Sequence, residues 1–220
     1  FIWKKKKISF SVPTGNFGDV YAGYVAKKMG LPIDKLIVAT NENDILQRVI
    51  NTGEYKPDKV KPSLSPSMDI QVSSNFERLI FDICSSDSNK TLKLMNNLNE
   101  LGEFKLKKED LGKIKELFYA ESLSEEETKA VIRNTYKNHK ILIDPHTAVG
   151  IGASDKLSLK GNTIVLATAH PSKFSNVVIK ETGINPDLPE KLKDILVNKE
   201  KYKILPNDLK KVQNYILEKI

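Results

Sequence analysis

Cysteine is almost absent from this chain. Cys84 is the single one in 220 residues, so no intrachain disulfide forms, and a reducing, cytoplasmic setting is expected. Long apolar runs are missing as well. None approaches the roughly 20 residues that a bilayer-crossing helix needs, so no membrane partner is expected. The opening Phe1-Ile2-Trp3-Lys4-Lys5-Lys6-Lys7 sets its charges after a very short apolar piece, which is not the pattern of a signal peptide. Arginine is scarce: Arg48, Arg78 and Arg133 leave few candidates for bidentate reading of bases. The net charge of +7 comes mostly from lysines interleaved with Glu and Asp, and no nucleic-acid partner is expected. Lys4–Lys7 is a basic block at a terminus, where a solvated tail explains it. Histidine is limited to His139, His146 and His170, without Cys or His neighbours at ligand spacing, and no metal site is expected. A G-x-S-x-G elbow for nucleophilic hydrolysis is also lacking.

What is there is ordinary globular material, 40% hydrophobic and 29% charged, long enough for one large domain or two small ones. The chain does not begin with Met. It opens inside an apolar-basic run leading to a strand, as after processing or a cut upstream of a core strand.

The stretch Ser11–Gly30 organises the rest. Ile8, Phe10 and Val12 alternate as in a strand, and Pro13-Thr14-Gly15-Asn16-Phe17-Gly18 follows. Val20, Tyr21, Tyr24 and Val25 then take helical spacing until Gly30 and Pro32 stop it. Strand, glycine loop and helix aim backbone N–H groups and a positive helix end at one anion. The glycines are expected because a bound phosphate leaves no room for a Cβ. Gly15, Gly18 and Gly23 match neither the dinucleotide fingerprint nor a P-loop, so a tight turn without ligand stands as the alternative.

Leu36-Ile37-Val38-Ala39 reads as a strand covered on both faces, completing a βαβ unit in a parallel sheet. Thr40 to Asn43 follow its carboxyl end, either contacting substrate or capping the helix of Ile45, Leu46 and Val49 that Gly53 ends. Residues 54–67 read as a Lys-, Pro- and Ser-rich loop, either a mobile lid or a plain surface connection, and Asn75 is expected to cap a helix carrying Phe76, Leu79, Ile80 and Ile83. From Ser88 to Asn138 the pattern is charged and helical. Leu94, Met95, Leu98 and Leu101 form one apolar face, Leu111, Ile114, Leu117 and Phe118 a second, and Ser124 with Glu127 a capping box. Ile141-Leu142-Ile143 and Thr163–Ala167 are expected as buried strands. They deliver His146, Thr168 and His170 to the same sheet edge as Asn16. His146 and His170 are either acid–base groups or structural histidines at strand ends. After Pro189 the pattern predicts an amphipathic helix with Leu192, Ile195 and Leu196, an apolar run at Ile204-Leu205, and a last helix begun by Pro206-Asn207-Asp208.

The fold class expected is α/β: a partial parallel or mixed sheet flanked by helices, with a helical insertion. Residues 1–83 read as a βα core bearing the phosphate loop, 84–139 as the helical insertion, and 140–220 as the continued core with C-terminal helices.

At PTGNFGD (13–19), KKMGLPIDKLIVATNENDIL (27–46), SPSMDIQVSSNFERLIFD (65–82), DPHTAVG (144–150) and LATAHPSKF (166–174) the chain resembles the C-terminal half of threonine synthase. The resemblance is to the longer bacterial and fungal type. It implies a pyridoxal 5'-phosphate lyase of the tryptophan-synthase β fold (fold type II), converting O-phospho-L-homoserine and water to L-threonine and phosphate. It assigns the cofactor phosphate to the backbone N–H groups of Gly15, Asn16, Phe17, Gly18 and Asp19. Thr168 takes the place beside the pyridine nitrogen, and Asn41, Ser67 and His170 are pocket candidates. The family's Schiff-base lysine belongs to a Ser-Phe-Lys-Asp type motif upstream of the glycine loop, and these residues contain none. Lys27 and Lys28, on the helix after the loop, do not replace it. The expectation is a chain inactive alone, partnered by the missing half or by itself. The alternative is a non-catalytic remnant or interaction module that keeps a phosphate-binding fold.

Overall fold

The computed structural model describes residues 7–195 and 197–220, in two compact units divided between Pro186 and Asp187. Residues 1–6, with most of the basic block, and Leu196 of the expected amphipathic helix lie outside the described residues.

The larger unit opens with β1 (Ile8–Pro13), α1 (Gly18–Lys28), β2 (Ile33–Thr40), α2 (Ile45–Thr52) and β3 (Glu54–Tyr55). After the 3-10 turn Pro66–Met68 come α3 (Phe76–Ile83), α4 (Ser88–Leu101), β4 (Phe104–Lys105), α5 (Lys108–Leu117) and β5 (Phe118–Ser122). Then follow α6 (Glu125–His139), α7 (Pro145–Leu157), β6 (Thr163–Val165) and α8 (Ser175–Thr182). The main sheet is parallel throughout, in the order β5-β2-β1-β6, and β3 pairs antiparallel with β4. Fold class is therefore α/β, with helices packed on a parallel sheet.

Burial on both faces explains the continuous apolar run of β2, where Ile37, Val38 and Ala39 are all fully buried. One side of the sheet carries Val12, Leu36 and Val38 into the main core with Phe17, Val20 and Phe76, and the other carries Ile37 and Ala39 to Val149 and Ala153 of α7. Small residues let α7 come close. A Cβ on Gly150 would stand 2.9 Å from Val165 and 3.1 Å from Pro13, and Ser11 Oγ donates to the Gly150 carbonyl at 2.6 Å.

Several sequence expectations need correction. Phe118 does not close a helical face: it starts β5, pairing with Leu36, and its ring lies 5.8 Å from Phe17 and 5.9 Å from Tyr24. Sheet pairing overrides helical spacing there, and 84–139 also sends Phe104, Leu106 and Ile114 into the main core. Ile141-Leu142-Ile143 is not a strand; Ile143 plugs a core of Ile132, Ala148, Val177 and Val178 between α6, α7 and α8. The expected buried strand 163–167 is a three-residue edge strand with Ile164 37% exposed. The capping box at Ser124 and Glu127 forms as expected, whereas Asn75 precedes α3 without a side-chain cap.

In the smaller unit, Asp187–Ile220, a 3-10 turn at Glu190–Leu192 stands where a longer helix was expected. α9 (Leu209–Leu217) begins with Asp208 accepting from the Lys211 N–H at 2.9 Å. Among the described residues no helix is long and apolar enough to cross a membrane.

Candidate functional site

Register brings separate chain segments to one point. β1 ends with Pro13 opposite Ala39 of β2, and Ser11 of β1 pairs with Val165 of β6. The residues after β1 and after β6 thus leave the same carboxyl edge, where open parallel sheets hold ligands. A cavity of about 290 Å³ lies there. Gly15, Asn16, Phe17, Gly18 and Asp19 line it together with Ser67, Met68, His146, Thr168 and Lys173.

The Thr14 N–H is used within the sheet, donating to the Ala39 carbonyl at 2.8 Å. From Gly15 through Val20, no main-chain N–H has a protein acceptor among the described residues, and pairing resumes where Tyr21 donates to the Phe17 carbonyl at 3.0 Å. Successive free donors at the positive end of an 11-residue helix form a seat for an anion. The loop is held open from beneath. Phe17 precedes α1 with φ 63°, a conformation costing a non-glycine residue about 1–2 kcal/mol. Its fully buried ring, 5.2 Å from Phe76, contributes about 2–3 kcal/mol and offsets that strain. Asn16 turns its Oδ1 outward to accept from the Ser74 N–H at 2.6 Å and the Ser74 hydroxyl at 2.9 Å.

Gly15 is required for a reason the sequence reading did not supply. A Cβ there would sit 2.5 Å from the Ser67 carbonyl oxygen and 3.1 Å from Met68 Cα, so the protein's own backbone excludes a side chain. At Gly18 the nearest atom to such a Cβ is Asn75 Nδ2 at 3.8 Å, so protein packing does not demand glycine.

Behind Ser67 stands His146, 4% exposed. Its Nε2 accepts from the Ser67 N–H at 3.3 Å and its Nδ1 lies 2.9 Å from Asp144 Oδ1. Asp144 is fully buried as the cap of α7, accepting from the His146 N–H at 2.8 Å and from the Thr147 hydroxyl. Burial pushes its carboxyl upward, but hydrogen bonds from His146 and Thr147 outweigh that and hold it below the usual carboxylate range.

Thr168 and Ser67, expected at the site, line the cavity; Asn41 and His170 do not. Asn41 is buried in a polar cluster, donating to Ser63 Oγ and Asp69 Oδ1, both at 2.8 Å. His170 is exposed and pairs with the Ser172 hydroxyl at 2.7 Å, ahead of the 3-10 turn Pro171–Phe174. Lys27 Nζ donates to the Ile33 carbonyl and Lys28 Nζ pairs with Asp82 at 3.1 Å, so neither serves the cavity. The sequence reading missed Lys173, a lysine at the cavity. Its place in the segment after β6, five positions beyond Thr168, was the available signal.

A family model described as "Threonine synthase, C-terminal" matches residues 147–216. Threonine synthase of Pseudomonas aeruginosa is 43% identical over 214 residues, which span 96% of this chain and 46% of that protein. Its counterpart from Saccharomyces cerevisiae is 42% identical over 243 residues, 98% of this chain and 47% of that one. Among solved structures, PLP-bound threonine synthase from Brucella melitensis matches with a TM-score of 0.92 at 43% identity, over 98% of this chain and 47% of that chain. The yeast enzyme matches with a TM-score of 0.86 at 40% identity, over 99% and 48%. The chain spans about half the length of these relatives. In sequence and in fold it belongs to the threonine synthase family, whose C-terminal portion it matches.

Proposed function

We propose that this chain forms the phosphate-holding side of a threonine synthase active site, one that turns O-phospho-L-homoserine and water into L-threonine and phosphate. The observation that carries the reading is the run of unpaired N–H groups from Gly15 to Val20 beside a cavity shared with Thr168. These residues fit pyridoxal 5'-phosphate: amides and a helix end for its phosphate, and a neutral hydroxyl for its ring nitrogen. When bound, that cofactor supplies an electron sink for carbanions on the substrate. The chain's own part is to bind and orient. Gly15–Asp19 would seat the phosphate, Thr168 would offer the ring nitrogen a neutral hydroxyl in place of a charged group, and Lys173 would add positive charge at the cavity.

The proton-shuttling lysine is assigned to the portion of the relatives that this chain does not span, since no Ser-Phe-Lys-Asp type motif occurs in its sequence. The partner is then that other half. It has an apolar groove of about 320 Å³ available, lined by Phe10, Gly23, Ala26, Leu31 and Leu166. Alone, the chain turns over no substrate. Incubating it with pyridoxal phosphate and then borohydride should leave no lysine reduced at a single site. A stoichiometric adduct at one lysine, Lys173 above all, would contradict this placement.

A further inference from the structure

His146 belongs to a stretch that marks the family resemblance, yet phosphate binding as described gives it no task. Its geometry supplies one. Nδ1 faces the Asp144 carboxylate at 2.9 Å, which only accepts, and Nε2 faces the Ser67 N–H at 3.3 Å, which only donates. The proton is therefore assigned to Nδ1 from its partners. Neither partner is free to turn away. Asp144 is pinned by the His146 and Thr147 N–H groups and the Thr147 hydroxyl, and the imidazole packs 4.8 Å from the Phe174 ring. On its far side the Ser67–Met68 backbone lies so close to Gly15 that a methyl group would not fit between them.

We propose that His146 is a positioning residue: oriented by Asp144, it anchors the Ser67 amide through Nε2 and thereby fixes the Ser67–Met68 wall against the anion-binding loop. This deepens the phosphate-site reading and rests on it. Protonating Nε2 would set two N–H donors face to face and release the wall.

The test uses the full 220-residue chain. Nitrogen-15 NMR at neutral pH should show His146 protonated on Nδ1 and the Ser67 amide protected from exchange, with no variant needed. His146→Phe keeps the ring and loses the acceptor. It should speed Ser67 exchange and weaken inorganic phosphate binding, each by about tenfold. His146→Gln, which reaches Ser67 with an amide oxygen, should recover most of both. A His146 protonated on Nε2, or Ser67 exchange unchanged in His146→Phe, would overturn the anchor. Wild-type chain that binds neither inorganic phosphate nor pyridoxal phosphate would sink the phosphate-site reading, and the tautomer and Ser67 exchange would then decide the anchor by themselves.

Discussion

Two neighbouring strands end level with each other, and the loops that follow them are put to opposite uses. After β2, the Asn41 and Asn43 side chains are tied into the protein, although the Thr40 hydroxyl at the strand end is buried without a partner. Asn41 donates to Ser63, Ser65 and Asp69 while accepting from the Asn43 N–H at 2.9 Å, and Asn43 Oδ1 accepts from the Lys61 N–H at 2.9 Å. Asp69 closes the cluster with its second oxygen on the Ser63 N–H at 2.8 Å. After β1, the donors of Gly15 to Val20 are left without protein acceptors beside a cavity. The same edge of the same sheet thus carries one loop whose amide side chains are tied into the fold, and one whose main-chain donors stay unpaired, the seat proposed for a phosphate. Polar composition does not separate them. Hydrogen-bond accounting does.

The comparison can be broken most directly at the loop after β2. Asp69→Ala strands the Ser63 N–H and takes one acceptor each from the Asn41 and Asn43 amides and the Ser63 hydroxyl, and should cost about 3 kcal/mol in urea unfolding. Near its folding midpoint the variant should still bind phosphate at the β1 loop in proportion to its folded fraction. Loss of phosphate binding by fully folded protein would show that the loops are not independent.

Glycine substitutions sharpen the contrast from the other side. Gly15→Ala drives a methyl into the Ser67 carbonyl and should cost about 2 kcal/mol as well as phosphate affinity. Gly18→Ala meets nothing closer than 3.8 Å and should change stability by less than about 0.5 kcal/mol. If Gly18 is glycine for the ligand's sake, that variant loses phosphate affinity at full stability. Unfolding curves and phosphate titrations on the same samples separate the two effects.

The smallest effect concerns pH. Asp144 is held below the usual carboxylate range in the folded state, its hydrogen bonds outweighing burial. A depressed folded value stabilises the protein fully above the unfolded carboxylate pKa, and the contribution fades as pH falls through the folded value. The stability difference between wild type and Asp144→Asn should therefore shrink on acidification, measured by denaturant midpoints between neutral and acid pH. A difference that stays constant would remove the carboxylate's role.

Local features were legible in the sequence because they are written at short range. The β1 strand, the Gly15–Gly18 loop and α1 are contiguous, as are the Ser124–Glu127 box and the αL stop at Gly53. Long-range partners were not. Ser67 and His146 stand 79 positions apart, and only the fold brings the Pro66–Met68 turn between His146 and Gly15. Asn41 sits where a strand-end residue either touches ligand or ties down a loop, and only its partners settle which use it has. Phe118 carries helical spacing yet enters the sheet, since pairing with Leu36 and burial against Phe17 outweigh local preference.

The central claim is that the main-chain donors of the first strand-to-helix turn exist to seat a phosphate. Titrating inorganic phosphate into nitrogen-15-labelled chain while following amide resonances tests it most directly. The account expects the signals of Gly15, Asn16, Phe17, Gly18 and Asp19 to move together and saturate, with Asn41 and Asn43 unmoved. Resonances of that turn that stay fixed while others shift, or no saturable shift at all, would contradict it.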